Sequence, residues 1–327
     1  MRKTVHLCLS SHDEVLYRSE ADLIMGFNCF AVALLTTESR GIAEGFLSTH
    51  HHSLIQSDAP GEAMRKHRNA YSRYFNTKFH RRGRLGEKYY FHLDIVGIHH
   101  LLAAANYVNR QGLHHGLAAT PFDYPHCSAN VAFRKQLGKD VPIPLMPDGL
   151  RYKHLPSNVV VPTEYRMSSS GLLLREDILD TAYIEELYIT PRSYLFQMNR
   201  TSEEERDMRA QIEENDTPPV TLDVIESGVP DFDPGFCKSS EFGKVNRNRM
   251  TDIELCNLID TVLVPRLFDN PEKMSIYDVP FSRRVSMYEW LLQEKKAARY
   301  QKGSSPFGGK FVTDAQLARC LCLKYPG

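Results

Sequence analysis

No other stretch restricts the surrounding fold as tightly as Ser48-Thr49-His50-His51-His52-Ser53-Leu54-Ile55-Gln56, where a run of histidines passes into a segment of strand composition. Successive side chains on a strand point to opposite faces, so His50 and His52 share one face and His51 takes the other. Two imidazoles side by side on a rigid strand are a ready pair of ligands for a divalent ion. The alternation leaves two registers open: His50 and His52 toward a metal with His51 inward, or the reverse. Leu54 lies on the face of His50 and His52, so the apolar pattern does not decide. Such a pair still lacks a third ligand and a group that reacts, and candidates for both stand about fifty residues on.

At 327 residues the chain is long enough for two domains. Its 42% hydrophobic and 24% charged residues are those of a soluble globular protein, and no apolar run approaches the roughly 20 residues of a membrane span. Met1 to Ser10 has basic residues before apolar ones, but Ser11-His12-Asp13-Glu14 interrupts it too soon for a signal peptide. The seven cysteines are scattered, with no C-x-x-C pair, which points to reduced thiols in a cytoplasm. The net charge of zero conceals a division. Residues 1–140 hold 17 Lys and Arg against 12 Asp and Glu, and 13 of the 14 histidines. The chemistry, and any polyanion, is therefore sought there.

The pattern predicts a first strand over Val5 to Ser10 and a helix capped by Ser19 running to about Thr36. A strand over Ile42 to Leu47 leads into the His50–Gln56 strand, the two forming a hairpin. A long helix follows from about Glu62 to Phe79. Between Arg65 and Lys88 stand nine basic residues (Arg65, Lys66, Arg68, Arg73, Lys78, Arg81, Arg82, Arg84 and Lys88) against one acid, Glu87. Tyr71, Tyr74, Phe75 and Phe79 are interleaved with them. The ordinary account is an amphipathic helix with buried aromatics and solvated charges. A surface for a nucleic-acid backbone and its unstacked bases is the reading favoured by the charge density.

Tyr89 to Ile95 has strand composition, and Gly97 to Gln111 reads as a helix ended by Gly112. Ile98, Leu101, Leu102, Ala105 and Val108 follow the spacing of a core-facing stripe. Tyr107 and Gln111 project together from another side, one turn apart.

Together, T-H-H-H-S-L-I and a helix holding N-Y-V-N-R-Q-G resemble the HUH superfamily of single-tyrosine transposases, and most of all the REP-associated tyrosine transposases of bacteria. The resemblance assigns His50 and His52 to the paired histidines, Tyr107 to the nucleophile and Gln111 to the third metal ligand. Ala70 to Asn76 with Arg82-Gly83-Arg84-Leu85 is similar to the family's Y-x-x-Y-F-N and R-x-G-x-L segment, and Gly116 to Ser128 to the segment after the tyrosine helix. The likeness covers about residues 1–135. One departure stands at His51, where the family carries an apolar, core-facing side chain.

The resemblance implies an α+β catalytic domain: a ferredoxin-like antiparallel sheet with packed helices, cleaving and rejoining single-stranded or hairpin DNA through a 5′-phosphotyrosine. It implies Mg²⁺ or Mn²⁺ as cofactor and no membrane partner, with monomer and homodimer both open. The residue types suit that chemistry. A phosphodiester is an anion that repels nucleophiles, so a divalent cation must neutralise and orient its oxygens. Tyrosine forms a covalent ester that stores the bond for rejoining to another 3′-OH. The basic helix around Arg65–Arg84 clamps the backbone in this reading.

The expected division is a catalytic domain over 1–138, a linker and small mixed segment over 139–240, and a helical region over 241–327 with a possible helix-turn-helix near Phe311 to Leu321. Asn158-Val159-Val160-Val161 and Tyr188-Ile189-Thr190 are strand-like, and Glu203 to Pro234 is acidic and turn-rich. Met250 to Leu263 and Ser286 to Arg299 are helical patterns. Two rival functions remain: a domesticated, inactive hairpin-binding protein, which His51 and the long tail would fit, and a metal-dependent hydrolase using water in place of Tyr107.

Overall fold

In a computed structural model, which describes residues 2–156, 159–200, 249–267, 274–298 and 306–325, the histidine run lies on an interior strand. That strand, β3 (His50–Ser57), pairs antiparallel with β1 (Lys3–Ser10) on one edge and with β2 (Arg40–Phe46) on the other. β4 (Phe91–Asp94) adds to the far edge of β1, giving an antiparallel sheet in the order β2-β3-β1-β4. With α1 (Glu20–Thr36) between β1 and β2, and α2 (Pro60–Lys78) between β3 and β4, the chain is α+β with ferredoxin-like strand order.

Helix α1 starts where the sequence says it must. The Ser19 side chain accepts from the Asp22 amide, and Glu20 and Asp22 place negative charge in the first turn. Pro60 opens α2, and Ala63, Met64, His67, Tyr71 and Phe75 form its buried stripe. Both helices cover one face of the sheet, where His51 meets Phe30 of α1 and His67 of α2. The other face carries α3 (Ile98–Asn109), whose Tyr107 meets His52.

Several local expectations are corrected. β2 begins at Arg40 and takes an irregular step between Gly41 and Ala43. The Tyr89–Ile95 strand shrinks to Phe91–Asp94, because β1 offers it partners only from Val5 to Cys8. The helix expected through Gln111 breaks at Arg110, and a single turn, α4 (Gln111–His114), follows. Gly112 does not end the helix. It lies within α4, where an added Cβ would meet the Tyr124 side chain at 2.3 Å; Gly116, at φ +64, makes the stop. Tyr188-Ile189-Thr190 is no strand. Tyr188 closes the helix Thr181–Tyr188, Ile189 turns at φ +67, and the Thr190 side chain caps the helix Pro191–Met198. Val159 to Val161 are irregular, while Asn158 and the acidic stretch from Glu203 to Pro234 lie outside the described residues.

Buried apolar residues from Val5 to Met198 form one continuous core. A second core gathers Met250 to Leu323 around Val15. It is built from Asp252–Leu258 with its Thr251/Glu254 capping box, from Phe281–Ala298, which starts five residues earlier than the pattern suggests, and from Asp314–Cys320 capped by Thr313. Asp314–Cys320 buries Gln316, Leu317, Ala318 and Cys320. Arg18, 2% exposed, ties the cores together through two hydrogen bonds from its Nη2 to the Asp260 carboxylate and one from Nη1 to the Cys320 carbonyl. Among the described residues, no helix is long and apolar enough to cross a membrane.

Candidate metal and nucleophile site

Antiparallel register decides which side chains meet the histidines. Cys8 stands opposite His52, Ser10 opposite His50 and His6 opposite Leu54, so the alternate residues of β1 share the face of His50 and His52. The His50 and His52 ring centroids are 5.1 Å apart. Tyr107 presents its ring edge-on to His52 at 5.1 Å and to His6 at 6.2 Å, and His115 lies 4.9 Å from His50. Gln111 donates from Nε2 to the Tyr107 carbonyl at 3.1 Å, across the break between α3 and α4, and its side chain faces His50. Tyr107, Gln111, His50 and His52 are thus brought to one place, all at most 6% exposed.

Burial is the main electrostatic fact here. It holds His50 down to about 4 and His6 down to about 3. His52 and His115 lie well below the ordinary imidazole value, first through burial and then through neighbouring imidazoles. Neutral imidazole is the ligating form. His50 Nδ1 lies 3.0 Å from the Thr49 hydroxyl, while His50 Nε2 and Gln111 Oε1 are buried without a well-formed hydrogen bond. These two groups face each other, so the His50 imidazole and the Gln111 amide share one buried polar spot. Two neutral imidazoles and an amide oxygen fit a divalent cation. Among the described residues, no group of three or more His, Cys, Asp or Glu side chains is placed to hold a metal ion, and the Gln111 amide is a further polar group facing His50.

His51 points the other way. Its ring stacks on Phe46 at 4.4 Å, with His67 at 4.6 Å, and both of its nitrogens are buried without partners. The reversed register, with His51 toward a metal, is not the one adopted.

The basic residues divide. Arg65, Lys66, Arg68, Arg73 and Arg84, with Lys88, line a groove of about 1140 Å³ that also holds Tyr89, which is 75% exposed. Within it, Arg65 pairs with Glu62, Lys66 donates to the Thr36 carbonyl, and Arg68 donates to the carbonyls of Leu85, Glu87 and Lys88. Lys78 and Arg81 are turned to carboxylates instead, Asp22 at 2.6 Å and Glu14 at 2.7 Å. Arg82 is exposed and outside the groove lining. The groove is walled by α1 and α2, whereas Tyr107 is on the α3 side of the sheet.

A smaller cavity of about 250 Å³ opens beside His50, lined by Ser48, Thr49, His115, Asp252 and Arg319 among others. Its C-terminal wall is unforeseen by sequence reasoning. Burial raises the Asp252 carboxyl, but Arg319 and the Ser48 hydroxyl outweigh it and bring it below the usual range. His6 and His115 also join the site unannounced. The alternation of β1, with His6 two residues before Cys8, was the one available signal for His6.

No protein-family model matches this chain, and no curated protein matches it. A solved structure of a REP-associated tyrosine transposase bound to a REP hairpin is similar over 43% of this chain and 82% of that one, at 11% identity and a TM-score of 0.35.

Proposed function

We propose that the chain is a metal-dependent DNA strand transferase in which Tyr107 is the nucleophile and His50, His52 and Gln111 hold Mg²⁺ or Mn²⁺. The observation that carries this reading is convergence: a helix tyrosine edge-on to a strand histidine at 5.1 Å, with an amide one turn later facing the second histidine. A bound divalent cation supplies charge neutralisation for the phosphodiester. The Tyr107 hydroxyl gives up its proton and forms a bond to phosphorus while the bond from phosphorus to the 3′-oxygen breaks, leaving a 3′-OH and a 5′-phosphotyrosine. A second 3′-OH reverses the step and returns the proton to tyrosine. The groove lined by Arg68, Arg73, Arg84 and Tyr89 suits a hairpin's backbone and an unpaired base.

A second reading, a hairpin-binding protein without catalysis, is favoured by one observation. His50, His52 and Gln111 are at most 1% exposed, and of the three only His50 borders the cavity walled by Asp252 and Arg319, which leaves a strand little access to the set. The test is incubation with a pool of labelled single-stranded hairpin DNAs and Mn²⁺, wild type beside Tyr107→Phe, read on a denaturing protein gel. A DNA-shifted band in wild type alone supports the transferase. Free 5′-phosphate products that persist in Tyr107→Phe indicate a hydrolase, and binding without adduct or product leaves the hairpin-binding protein.

A further inference from the structure

We propose that His6 is a positioning residue which, on the metal-dependent reading above, decides whether His52 has a nitrogen to offer a divalent cation. The His6 and His52 rings stack at 5.0 Å with 16° between planes, and His6 Nε2 lies 3.0 Å from His52 Nδ1. Both residues are fully buried, and at 3.0 Å the contact between the nitrogens is direct. One proton lies in it. When His52 Nδ1 donates to His6, the His52 Nε2 is bare and can ligate. When His6 Nε2 donates, His52 carries its own proton on Nε2 and uses its Nδ1 lone pair, and neither nitrogen is left for a cation.

The restriction falls on His52 alone. His50 rests its Nδ1 against the Thr49 hydroxyl, which donates or accepts and so adapts to either tautomer. His52 Nε2 has the Cys8 sulfur at 4.0 Å, a long contact to a weak donor and acceptor that fixes its proton less firmly than the His6 nitrogen does at 3.0 Å. The edges of Phe91 at 5.6 Å and Tyr107 at 6.2 Å hem in the His6 ring, so it stays on His52. A partner on the far nitrogen of a ligating histidine typically fixes its tautomer and orientation, and losing one costs about 10- to 100-fold in metal affinity.

The experiment uses the full chain and titrates Mn²⁺ against wild type, His6→Phe, His6→Gln and His52→Ala, following free Mn²⁺ by electron paramagnetic resonance. Circular dichroism melts verify folding of each variant. In parallel, long-range ¹H–¹⁵N spectra of ¹⁵N-histidine protein with Mg²⁺ read which His52 nitrogen carries the proton. Affinity about 10- to 100-fold weaker in His6→Phe, recovery in His6→Gln and a proton on His52 Nδ1 in wild type would support the proposal. Gln is the rescue because its amide oxygen reaches the position of Nε2. Equal affinity and an unchanged His52 tautomer in a folded His6→Phe would reduce His6 to packing and leave the metal reading standing. If wild type and His52→Ala bind Mn²⁺ alike, the metal reading falls and takes this proposal with it.

Discussion

Ser48 and Asp252 meet across the seam between the two cores, the serine hydroxyl donating to the carboxylate at 2.6 Å. Asp252 also faces Arg319 at 3.4 Å and is 4% exposed, so the wall beside His50 is held by a buried charge that Ser48 and Arg319 help to compensate. Asp252→Ala removes the carboxylate and leaves Arg319 uncompensated, which should cost about 2 kcal/mol. The variant should melt earlier and its His50 should react faster with diethyl pyrocarbonate. Unchanged melting and unchanged reactivity would show that Asp252 does not hold the wall.

Stability should fall in mild acid. His6 and His67 are held to about 3 and His50 to about 4 by burial, against about 6.5 in an unfolded chain. The unfolded chain therefore takes up protons that the folded chain refuses. The contribution of these groups is complete above roughly pH 7.5 and is lost as pH drops through 6.5 toward 4, by up to about 1.4 kcal/mol per pH unit for each histidine. Urea unfolding at pH 8, 6 and 5 measures it, and His67→Phe should flatten the curve. Equal midpoints at pH 8 and pH 5 would sink this account.

His51 is expected to be replaceable. Its nitrogens are both buried without partners against Phe46 and His67, an arrangement that an apolar side chain of similar volume relieves. His51→Leu should be neutral to about 1 kcal/mol stabilising at pH 7.5 and more so in acid. Mn²⁺ affinity should be unchanged, whereas a loss of affinity would assign His51 a part in the site.

The basic residues should separate into two classes. Arg73→Ala and Arg84→Ala, in the groove, should each weaken hairpin binding and lower the slope of affinity against salt by about 1. Lys78→Ala should leave that slope alone and lower the melting temperature, because it strips a partner from the fully buried Asp22. Filter binding at several salt concentrations distinguishes them, and equal slopes throughout would remove the groove from consideration.

What the sequence discloses is whatever a short window contains. Ser19 ahead of two acids marks the start of α1, the stripe through Met64, Tyr71 and Phe75 marks α2, and strand alternation puts His50 and His52 on one face. What it conceals is long-range. His6 reaches His52 only through the pairing of β1 with β3, and Asp252 reaches Ser48 from 204 positions away. Even the spacing of Tyr107 and Gln111, correct as a count, misjudges the backbone, which breaks at Arg110 between them. In the basic run, composition alone does not tell Lys78, committed to Asp22, from Arg73, which lines the groove.

The register of β1 against β3 carries one more consequence, for assembly. β2 and β3 are joined by only Leu47, Ser48 and Thr49 and can zip locally, but His6 and His52 are 46 positions apart. Closing that loop carries the larger chain-entropy cost and is the slower kind of event. On the metal-dependent reading, a cation held by His50, His52 and Gln111 favours chains in which the Gln111 turn has docked beside β3, and His6 strengthens that hold where β1 has closed on β3. At a hundred times its dissociation constant the cation contributes about 2.7 kcal/mol. The ligands proposed for chemistry would then also reward the folded arrangement, with the long-range pairing of β1 and β3 adding to that reward through His6.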